Sequence, residues 1–404
     1  MSGSGSPPRL FGGLMSGTSL DGVDAILLEV EGDDPGDLRW EVRAFRTVPF
    51  RPDRRSRIRD ALAASGPREL ARLHTDLGEW LAHAFLLLLD GAGVQPRQVA
   101  ALGSHGQTIW HEPPEKDRRG ATLQFGDPAT LAERTGVPVV SDFRSRDVAS
   151  GGHGAPLVPW TDWVLFRRTG TGRALQNLGG MGNVTFLPGR GGVEEVLAFD
   201  TGPGVALMDG AARWASGGSE PWDRDGRRAA RGEGLPDLLD DLLQDPFFRQ
   251  KPPRSTGRER FGEARLREIV ARVDPQGSEG WDDVLATLTA LTAESVARSY
   301  RDFLPADGVD EVVLTGGGAR NPTLARRLEA ALDPLPVQLG EEALGMDPDA
   351  REAAAFALLA WAYLEGIPGN LPRVTGASGP RILGSYSPGR DDGAGAGKEG
   401  REGA

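Results

Sequence analysis

Several residue types are missing or rare in this sequence of 404 residues. There is no cysteine, which excludes disulfides, thiolate metal sites and cysteine nucleophiles. The only lysines are Lys116, Lys251 and Lys398. A phosphate site in the first hundred residues would therefore have to work without a lysine side chain.

Long apolar runs and positive net charge are also missing. The longest apolar run, residues 353–364, is well short of the roughly 20 residues that span a bilayer. No basic-then-apolar leader opens the sequence, so we expect a cytoplasmic protein with no membrane contact. The net charge of −12 disfavours binding to nucleic-acid phosphates, so we expect no nucleic-acid partner.

The patterning of the chain predicts an α/β protein with two lobes. Residues 1–8 and 389–404 are dominated by glycine, other small residues and charges, and we expect disordered tails there. Between them, apolar β-type runs alternate with amphipathic helical stretches. A strand, a glycine-rich turn and a second strand begin near residue 10 and again near residue 174. This repetition indicates two related lobes, at residues 9–140 and 141–388.

The individual elements follow from local pattern. The predicted strands are apolar, β-branched runs at residues 10–15, 23–30, 99–103, 137–140, 174–178, 184–187, 196–199 and 311–315. Helices are predicted where apolar residues recur at helical spacing or where helix-forming residues dominate. They are residues 54–64, 69–90, 128–135, 237–243, 281–303, 322–331 and 350–365. Another helical stretch is expected from Val205 onward.

The first glycine-rich turn has the residue types of an anion site. Glycines let backbone amides point at an anion, hydroxyls add donors, and an aspartate can hold water on a magnesium ion. The turn joins two strands, whereas Walker and Rossmann loops run from a strand into a helix. An ordinary hairpin turn is the alternative interpretation. The candidate residues are Gly17, Thr18, Ser19, Leu20, Asp21 and Gly22.

A second glycine run follows the predicted strand at 311–315. Gly316, Gly317 and Gly318 precede Asn321, a suitable helix N-cap, and Pro322, which suits the first helical position. Three consecutive glycines let a flat group lie against the backbone beside a helix N-terminus. One glycine would suffice for an ordinary strand-to-helix turn, which is the alternative. We favour a nucleotide-binding face.

Asp200 is a lone acid at the end of a predicted strand, just before a Gly-Pro-Gly turn. From that position a carboxylate can project into a cleft and act as a general base on water or a hydroxyl. The alternative is that Asp200 caps the helix that follows.

Two further segments carry polar side chains suited to a small ligand. His105, Gln107 and His111 lie in one segment, and no carboxylate stands at a zinc spacing from the histidines, so we expect sugar recognition rather than a metal centre. Arg144 and Arg146 are flanked by acids, and paired arginines suit carboxylate or phosphate. A surface ion-pair cluster is the alternative for the arginines.

Together these segments resemble the anhydro-N-acetylmuramic acid kinase family. The resemblance runs in order from about residue 10 to residue 388. It is carried by GLMSGTSLDGVD, GSHGQTIWHEP, DFRSRDVASGGHGAPLVP, NLGGMGNV, FDTGPGVALMD, KPPRSTGRERF, LTGGGARNP and NLPRVTGASGPRILG.

The resemblance implies a fold and a reaction. The fold is the two-lobed, actin-like ATPase architecture of the sugar kinase, Hsp70 and actin superfamily, which is ribonuclease H-like, with ATP in the cleft between the lobes. The reaction is phosphorylation of 1,6-anhydro-N-acetylmuramic acid by ATP, with Mg²⁺, while water opens the anhydro ring. The product is N-acetylmuramic acid 6-phosphate, in murein recycling, and a homodimer is expected.

The resemblance also implies roles for individual residues. Asp200 matches the catalytic base. Residues 17–22 match the first phosphate loop. The other ATP contacts and the sugar pocket correspond to the residues given next. The second phosphate loop and the adenosine face correspond to Gly179, Gly180, Asn183, Gly316, Gly317, Gly318 and Asn321. The sugar-side segments contain Gln107, Arg144, Arg146, Asp147 and Glu352.

One departure from the family pattern is Met181, at a position often aromatic in relatives. The side chain of methionine is adaptable, so we expect little effect.

Two other function classes compete with this interpretation. A non-catalytic ATP-dependent switch could use the same fold, because fold does not fix function. The presence of Asp200 and of the sugar-side segments argues against it. A glycoside hydrolase with paired carboxylates would need no ATP, and it leaves the glycine loops unexplained.

Overall fold

The computed structural model describes residues 6–17, 20–64, 66–115 and 118–390. Most of the two predicted tails, residues 1–5 and 391–404, lie outside these ranges, as do Thr18 and Ser19 of the first glycine turn.

Strands and helices are numbered here in chain order. The strands are β1 Arg9–Ser16, β2 Gly22–Glu31, β3 Arg39–Pro49, β4 Val99–Glu112, β5 Ala121–Phe125, β6 Val139–Ser141, β7 Arg173–Leu178, β8 Met181–Leu187, β9 Leu197–Pro203, β10 Glu311–Thr315, β11 Val337–Leu339 and β12 Ser385–Ser387. The helices are α1 Pro52–Ala64, α2 Pro67–Ala92, α3 Pro128–Thr135, α4 Ser145–Ala149, α5 Val158–Phe166, α6 Ala206–Ala215, α7 Arg227–Arg231, α8 Pro236–Leu242, α9 Arg258–Phe261, α10 Glu263–Val273, α11 Gly277–Phe303, α12 Pro322–Leu332, α13 Gly340–Ala343, α14 Arg351–Leu364 and α15 Pro372–Thr375.

The chain forms two compact units whose boundaries differ from the predicted ones. Among the described residues, the first unit contains residues up to Ala155, Ala350–Asn370 and residues 380–390. The second contains Pro156–Asp349 and Leu371–Gly379. The boundary therefore lies after residue 155 rather than 140, and two C-terminal segments that we had assigned to residues 141–388 belong to the first unit. The reason is tertiary packing, since α14 lies on β1, β2 and β4.

Glycines in the first sheet explain why α14 can pack so closely. A Cβ at Gly13 would collide with the Ala353 carbonyl oxygen of α14, and a Cβ at Gly103 would collide with the Phe356 carbonyl oxygen. A Cβ at Gly12 would instead meet the Phe85 ring of α2. Because neighbouring strand residues point to opposite faces, α14 and α2 cover opposite faces of this sheet.

The sheet of the first unit mixes antiparallel and parallel pairs. The strands lie in the order β12-β6-β4-β1-β2-β3, and β5 pairs with β4 beside this path. Strand β2 is antiparallel to β1 and β3, whereas β4 is parallel to β1 and β6 is parallel to β4.

The second unit repeats this topology. Its strands lie in the order β11-β10-β7-β8-β9, with β8 antiparallel to β7 and β9, and with β10 parallel to β7 and β11. In each unit a three-strand meander is extended by two parallel strands on the side of its first strand. That order is the ribonuclease H-like sheet, so the predicted α/β class and the predicted lobe fold are confirmed.

Apolar stripes on the long helices build the cores. On α2, Leu73, Leu77 and Leu81 are fully buried, as the spacing predicted. On α11, Val296 and Leu288 contribute to two separate clusters of the second unit. Within the described ranges, no helix has both the length and the apolar character needed to cross a membrane.

Candidate active site

Asp200 lies in β9 and is held by a short neighbouring segment. Its backbone N–H donates to the Arg254 carbonyl at 3.2 Å, and Arg254 Nε donates to the Asp200 carbonyl at 2.8 Å. The Thr256 N–H donates to Asp200 Oδ2 at 2.8 Å. Within the described part of the chain, Oδ1 accepts no hydrogen bond, so one carboxylate oxygen is fixed and the other is available.

Burial raises the pKa of Asp200 to about 6. The Thr256 N–H and the charge of Arg254 oppose this shift, whereas the charge of Glu259 adds to it. At neutral pH the carboxylate is therefore ionised but is a stronger base than an exposed aspartate. The alternative role as a helix cap is wrong, because α6 begins at Ala206, its N-cap is Val205, and no side chain caps it.

Arg254 anchors the segment beside Asp200, and our sequence reasoning assigned it no role. Its Nη1 donates to the carbonyls of Phe247, Phe248 and Gln250, and its Nη2 donates to Ser299 Oγ at 2.7 Å. Burial lowers its pKa to about 10, so it stays cationic at neutral pH. The guanidinium carbon lies 4.6–5.3 Å from the ring centroids of Phe199, Phe247 and Phe303. The available signal was the segment KPPRSTGRERF, which we quoted for the resemblance only.

The predicted second phosphate turn is fastened to the start of α6. The Val205 N–H donates to the Gly179 carbonyl at 2.9 Å, and the N–H groups of Gly204 and Ala206 donate to the Gly180 carbonyl at 3.0 and 3.1 Å. A Cβ at Gly204 would collide with the Gly179 carbonyl oxygen. The turn between β7 and β8 therefore has a fixed backbone.

This turn lies near Asp200 within the second unit. Asn183 in β8 is the register partner of Asp200 in β9. A Cβ at Gly180 would lie 3.7 Å from Arg258 Nη2, so a cationic side chain also reaches the turn. The second unit thus brings together the predicted base, Gly179, Gly180 and Asn183.

The third glycine run adjoins a cavity in the same unit. Gly316 has φ +78°, and a Cβ there would meet Asn177 and Leu178, so this position requires glycine. The cavity encloses roughly 400 Å³ including its mouth and has apolar walls at Leu314, Leu339 and Pro348.

The rim of this cavity is charged, and Arg320 Nη2 lies 3.4 Å from Glu341 Oε1 and 3.6 Å from Asp349 Oδ2. A Cβ at Gly317 would meet nothing within 4 Å, whereas one at Gly318 would lie 2.8 Å from the Leu178 carbonyl oxygen. Asn321 Oδ1 accepts from the N–H groups of Thr323 and Leu324, so the predicted N-cap of α12 is present.

The first glycine turn is a hairpin turn, and Thr18 and Ser19 lie outside the described residues. The Leu20 N–H donates to the Gly17 carbonyl at 3.2 Å, and Leu20 has φ +58°. Gly22 is buried and Asp21 is exposed. Ser16 Oγ donates to Gln107 Oε1 at 2.7 Å, so the predicted sugar-side glutamine is buried next to this turn. A turn between two strands, such as this one, can form an anion site with its backbone amides.

The predicted sugar-side residues of the first unit form a bonded cluster around Arg144. Arg144 Nε donates to His105 Nε2 at 3.0 Å, and its Nη1 donates to the Gly154 carbonyl at 2.7 Å. Asp147 is buried, and its Oδ2 accepts from the Gly154 N–H at 2.8 Å. Arg144 is thus half-buried and bonded to His105 and Gly154, and among the described residues it forms no surface ion pair.

The other two predicted sugar-side residues are exposed. Arg146 lies on the surface of α4. Glu352 lies in the first turn of α14, and its charge acts on Arg144 and opposes the effect of burial, which lowers the pKa of that arginine. Of the five predicted residues, Arg144, Asp147 and Glu352 are therefore linked by contact or charge, and Gln107 is linked to the first glycine turn.

Comparison with known proteins now identifies the chain's family. The family model described as anhydro-N-acetylmuramic acid kinase matches residues 9–389. A protein of that name from Gloeobacter violaceus is 47% identical over 384 residues, covering 94% of this chain and 99% of that protein. One from Caldanaerobacter subterraneus is 42% identical over 386 residues, covering 94% and 97%. A ROK hexokinase structure from Thermus thermophilus has a TM-score of 0.35 and 18% identity, covering 86% of this chain and 98% of that chain. This chain therefore belongs to the anhydro-N-acetylmuramic acid kinase family and is a kinase.

Proposed function

We propose that this kinase transfers the γ-phosphate of ATP to O6 of 1,6-anhydro-N-acetylmuramic acid while water opens the anhydro bridge. The products are N-acetylmuramic acid 6-phosphate and ADP, and the reaction serves cytoplasmic recycling of cell-wall murein. Family membership supports the substrate. The observation that carries the water step is the Asp200 carboxylate, which has one oxygen fixed, the other available and a pKa of about 6.

Asp200 acts as the general base in this proposal. Its free Oδ1 takes a proton from the water whose oxygen forms a bond to C1 of the sugar. The C1–O6 bond breaks, and O6 receives the phosphoryl group. The Thr256 N–H keeps the other oxygen in place, so the carboxylate does not need to reorient during the reaction.

Backbone groups bind the nucleotide in this proposal. Residues 17–22 and the turn of Gly179 and Gly180 offer amides to the phosphates, with Asn183 beside the second turn. Gly316, Gly317 and Gly318 lie against the adenosine, which the cavity with apolar walls would accommodate. Asn321 contributes by capping α12 there.

Side chains bind the sugar, and a magnesium ion accompanies the phosphates. The proposed sugar contacts are Gln107, Arg144, Arg146, Asp147 and Glu352. Among the described residues, no three histidine or acidic side chains cluster to hold a metal. In this proposal a Mg²⁺ would be held mainly by phosphate and water, with Asp21 as the protein's contribution. The ion would neutralise charge on the transferred phosphoryl group.

Mass spectrometry tests this proposal directly. The enzyme is incubated with the anhydro-sugar, ATP and Mg²⁺ in ¹⁸O-labelled water, and we expect a product heavier than the sugar by one phosphate and one labelled water. A parallel reaction without ATP should leave the sugar unchanged. Ring opening without ATP would indicate a hydrolase, and a phosphorylated product that lacks labelled oxygen would contradict the role of water. Light scattering on the same preparation tests the proposed homodimer.

A further inference from the structure

His105 is a buried histidine whose two ring nitrogens have partners of opposite kind. It lies in β4, and its ring centroid is 4.7 Å from that of Phe356. Its Nδ1 is 2.9 Å from the Gly106 carbonyl oxygen, and its Nε2 is 3.0 Å from Arg144 Nε. A carbonyl oxygen can only accept and a guanidinium N–H can only donate. The ring must therefore carry its proton on Nδ1 and a lone pair on Nε2.

We infer that His105 is a positioning residue that, as a neutral imidazole, holds the Arg144 guanidinium in the orientation that binds oxygen atoms of the sugar substrate. This inference rests on the proposed function, in which Arg144 is a sugar contact. Burial, helped by the charge of Arg144, lowers the pKa of His105 to about 3. The imidazole is therefore neutral at every pH at which the enzyme would work.

A neutral acceptor has a different effect on Arg144 from that of a carboxylate. A carboxylate at Nε would neutralise the guanidinium and compete with oxygen atoms of the ligand. The lone pair of a neutral imidazole fixes the plane of the guanidinium. It places no negative charge at Nε, so the positive charge of Arg144 is not neutralised there. Among the described residues, the negative charge that acts on Arg144 is that of Glu352, which lies on α14 and is itself a proposed sugar contact.

The Arg144 guanidinium is also held through its Nη1 nitrogen. Arg144 Nη1 donates to the Gly154 carbonyl at 2.7 Å, and Gly154 has φ +68°. The Gly154 N–H donates to Asp147 Oδ2, and Asn370 Nδ2 donates to Asp147 Oδ1 at 2.7 Å. Arg144 is thus held between His105 and a bonded loop. Within the described ranges its Nη2 donates to no protein group, so that nitrogen is available for a ligand.

Three substitutions at His105 separate positioning from packing. In His105→Gln, the amide oxygen can take the place of Nε2 and accept from Arg144. In His105→Asn, the shorter amide reaches only the place of Nδ1, and His105→Leu offers no acceptor. We expect KM for the anhydro-sugar to rise about tenfold or more in the Asn and Leu variants, because a hydrogen bond to a charged group is lost. In the Gln variant it should stay within about threefold of the parent.

Two further measurements complete the experiment. KM for ATP should stay within about twofold in all three variants, since the nucleotide contacts are elsewhere in the proposal. The melting temperature of each variant reports packing, and if the Leu variant does not fold, the Gln and Asn pair decides. Nitrogen NMR of histidine-labelled parent enzyme should show a neutral His105 ring protonated on Nδ1, assigned by the signal lost in His105→Gln.

The outcomes distinguish this inference from the proposed function. A parent enzyme that makes no phosphorylated sugar overturns the proposed function. An active parent whose sugar KM is unchanged in the Asn variant, or is raised equally in Gln and Asn, overturns the positioning role and leaves His105 a packing residue. A ring protonated on Nε2 overturns it as well.

Discussion

The two units share one sheet topology but differ in how they use it. In the second unit the β7–β8 turn is short and is held by three backbone hydrogen bonds at the start of α6, and the middle of β9 carries Asp200. In the first unit the β1–β2 turn is longer, contains a residue with positive φ and connects through Ser16 to Gln107. The duplicated fold therefore supplies two glycine turns, and the side chains around each determine its chemistry.

The charged groups differ in the same way. The second unit holds a half-buried carboxylate whose pKa is raised, beside a cationic Arg254 that is fully committed to internal contacts. The first unit holds a guanidinium, Arg144, that a neutral histidine orients without neutralising it. In our proposal, the base and one of the sugar-binding groups thus come from separate copies of the same fold.

The largest expected effect tests the base of the second unit. Asp200→Asn keeps the size of the side chain and removes its ability to accept a proton. Turnover should fall by about two orders of magnitude or more, the usual contribution of a general base. Binding of ATP and of the anhydro-sugar, measured by calorimetry, should stay within several-fold of the parent.

A matched control uses the same substitution at a real helix cap in the first unit. Asp127 caps α3 by accepting from the N–H groups of Ala129 and Thr130. Asp127→Asn should leave turnover unchanged and lower the melting temperature slightly, because Asp127 accepts on both carboxylate oxygens whereas an amide accepts on one. Turnover of Asp200→Asn within threefold of the parent would remove Asp200 from the catalytic role.

A smaller effect compares the two glycine turns. A Cβ at Gly179 would lie 3.4 Å from Asn177 Nδ2 and 3.6 Å from the Met181 carbonyl oxygen, so Gly179→Ala should fold normally. If phosphate approaches this backbone, KM for ATP should rise, by about tenfold. Gly17→Val should have a similar effect in the first turn, and sugar binding measured without nucleotide should change little in both.

The control for this comparison is a glycine that packing requires away from both turns. A Cβ at Gly78 of α2 would lie 2.8 Å from the Asp127 carbonyl oxygen, so Gly78→Ala should lower the melting temperature and leave KM for ATP unchanged. Equal losses of ATP use and of sugar binding in Gly17→Val would show that its turn stabilises the fold and binds no phosphate.

The elements that sequence predicted best are those whose pattern is local. The apolar spacing of α2 and the buried run of β10 identified both with nearly the observed bounds. The edge strand β3 was missed because its residues are largely exposed and alternate with charges such as Arg39 and Glu41, which resemble a loop. The helix α14 was predicted, but its assignment to the first unit depends on contacts with Gly13 and Gly103 far away in sequence.

The residues of the candidate site also differ in how far a local pattern could predict them. Asp200 was singled out by its place at an apolar strand. The predicted end of that strand at residue 199 is wrong, because β9 continues through Gly202 and Pro203, where we expected a turn. Arg254 and the tautomer of His105 could not be predicted, because each depends on partners that only the folded chain brings near. Sequence therefore nominated candidate groups, whose roles stay predictions, and missed the residues that hold those groups in place.

The smallest expected effect is a shift in the pH profile of the second unit's base. Asp200 must be ionised to accept a proton, and burial raises its pKa to about 6, so turnover should fall as pH drops through that value. At pH 5 about one-tenth of the activity should remain, since a base with a pKa near 6 is then mostly protonated. The charge of Glu259 raises this pKa, so Glu259→Gln should move the acid side of the pH profile to lower pH. Glu268, which is paired with Arg265 on α10, is not among the groups that shift the pKa of Asp200, so Glu268→Gln should leave the acid side of the profile in place. If the pH at which turnover falls is unchanged in Glu259→Gln, or shifts equally in both variants, a group other than Asp200 limits turnover at low pH.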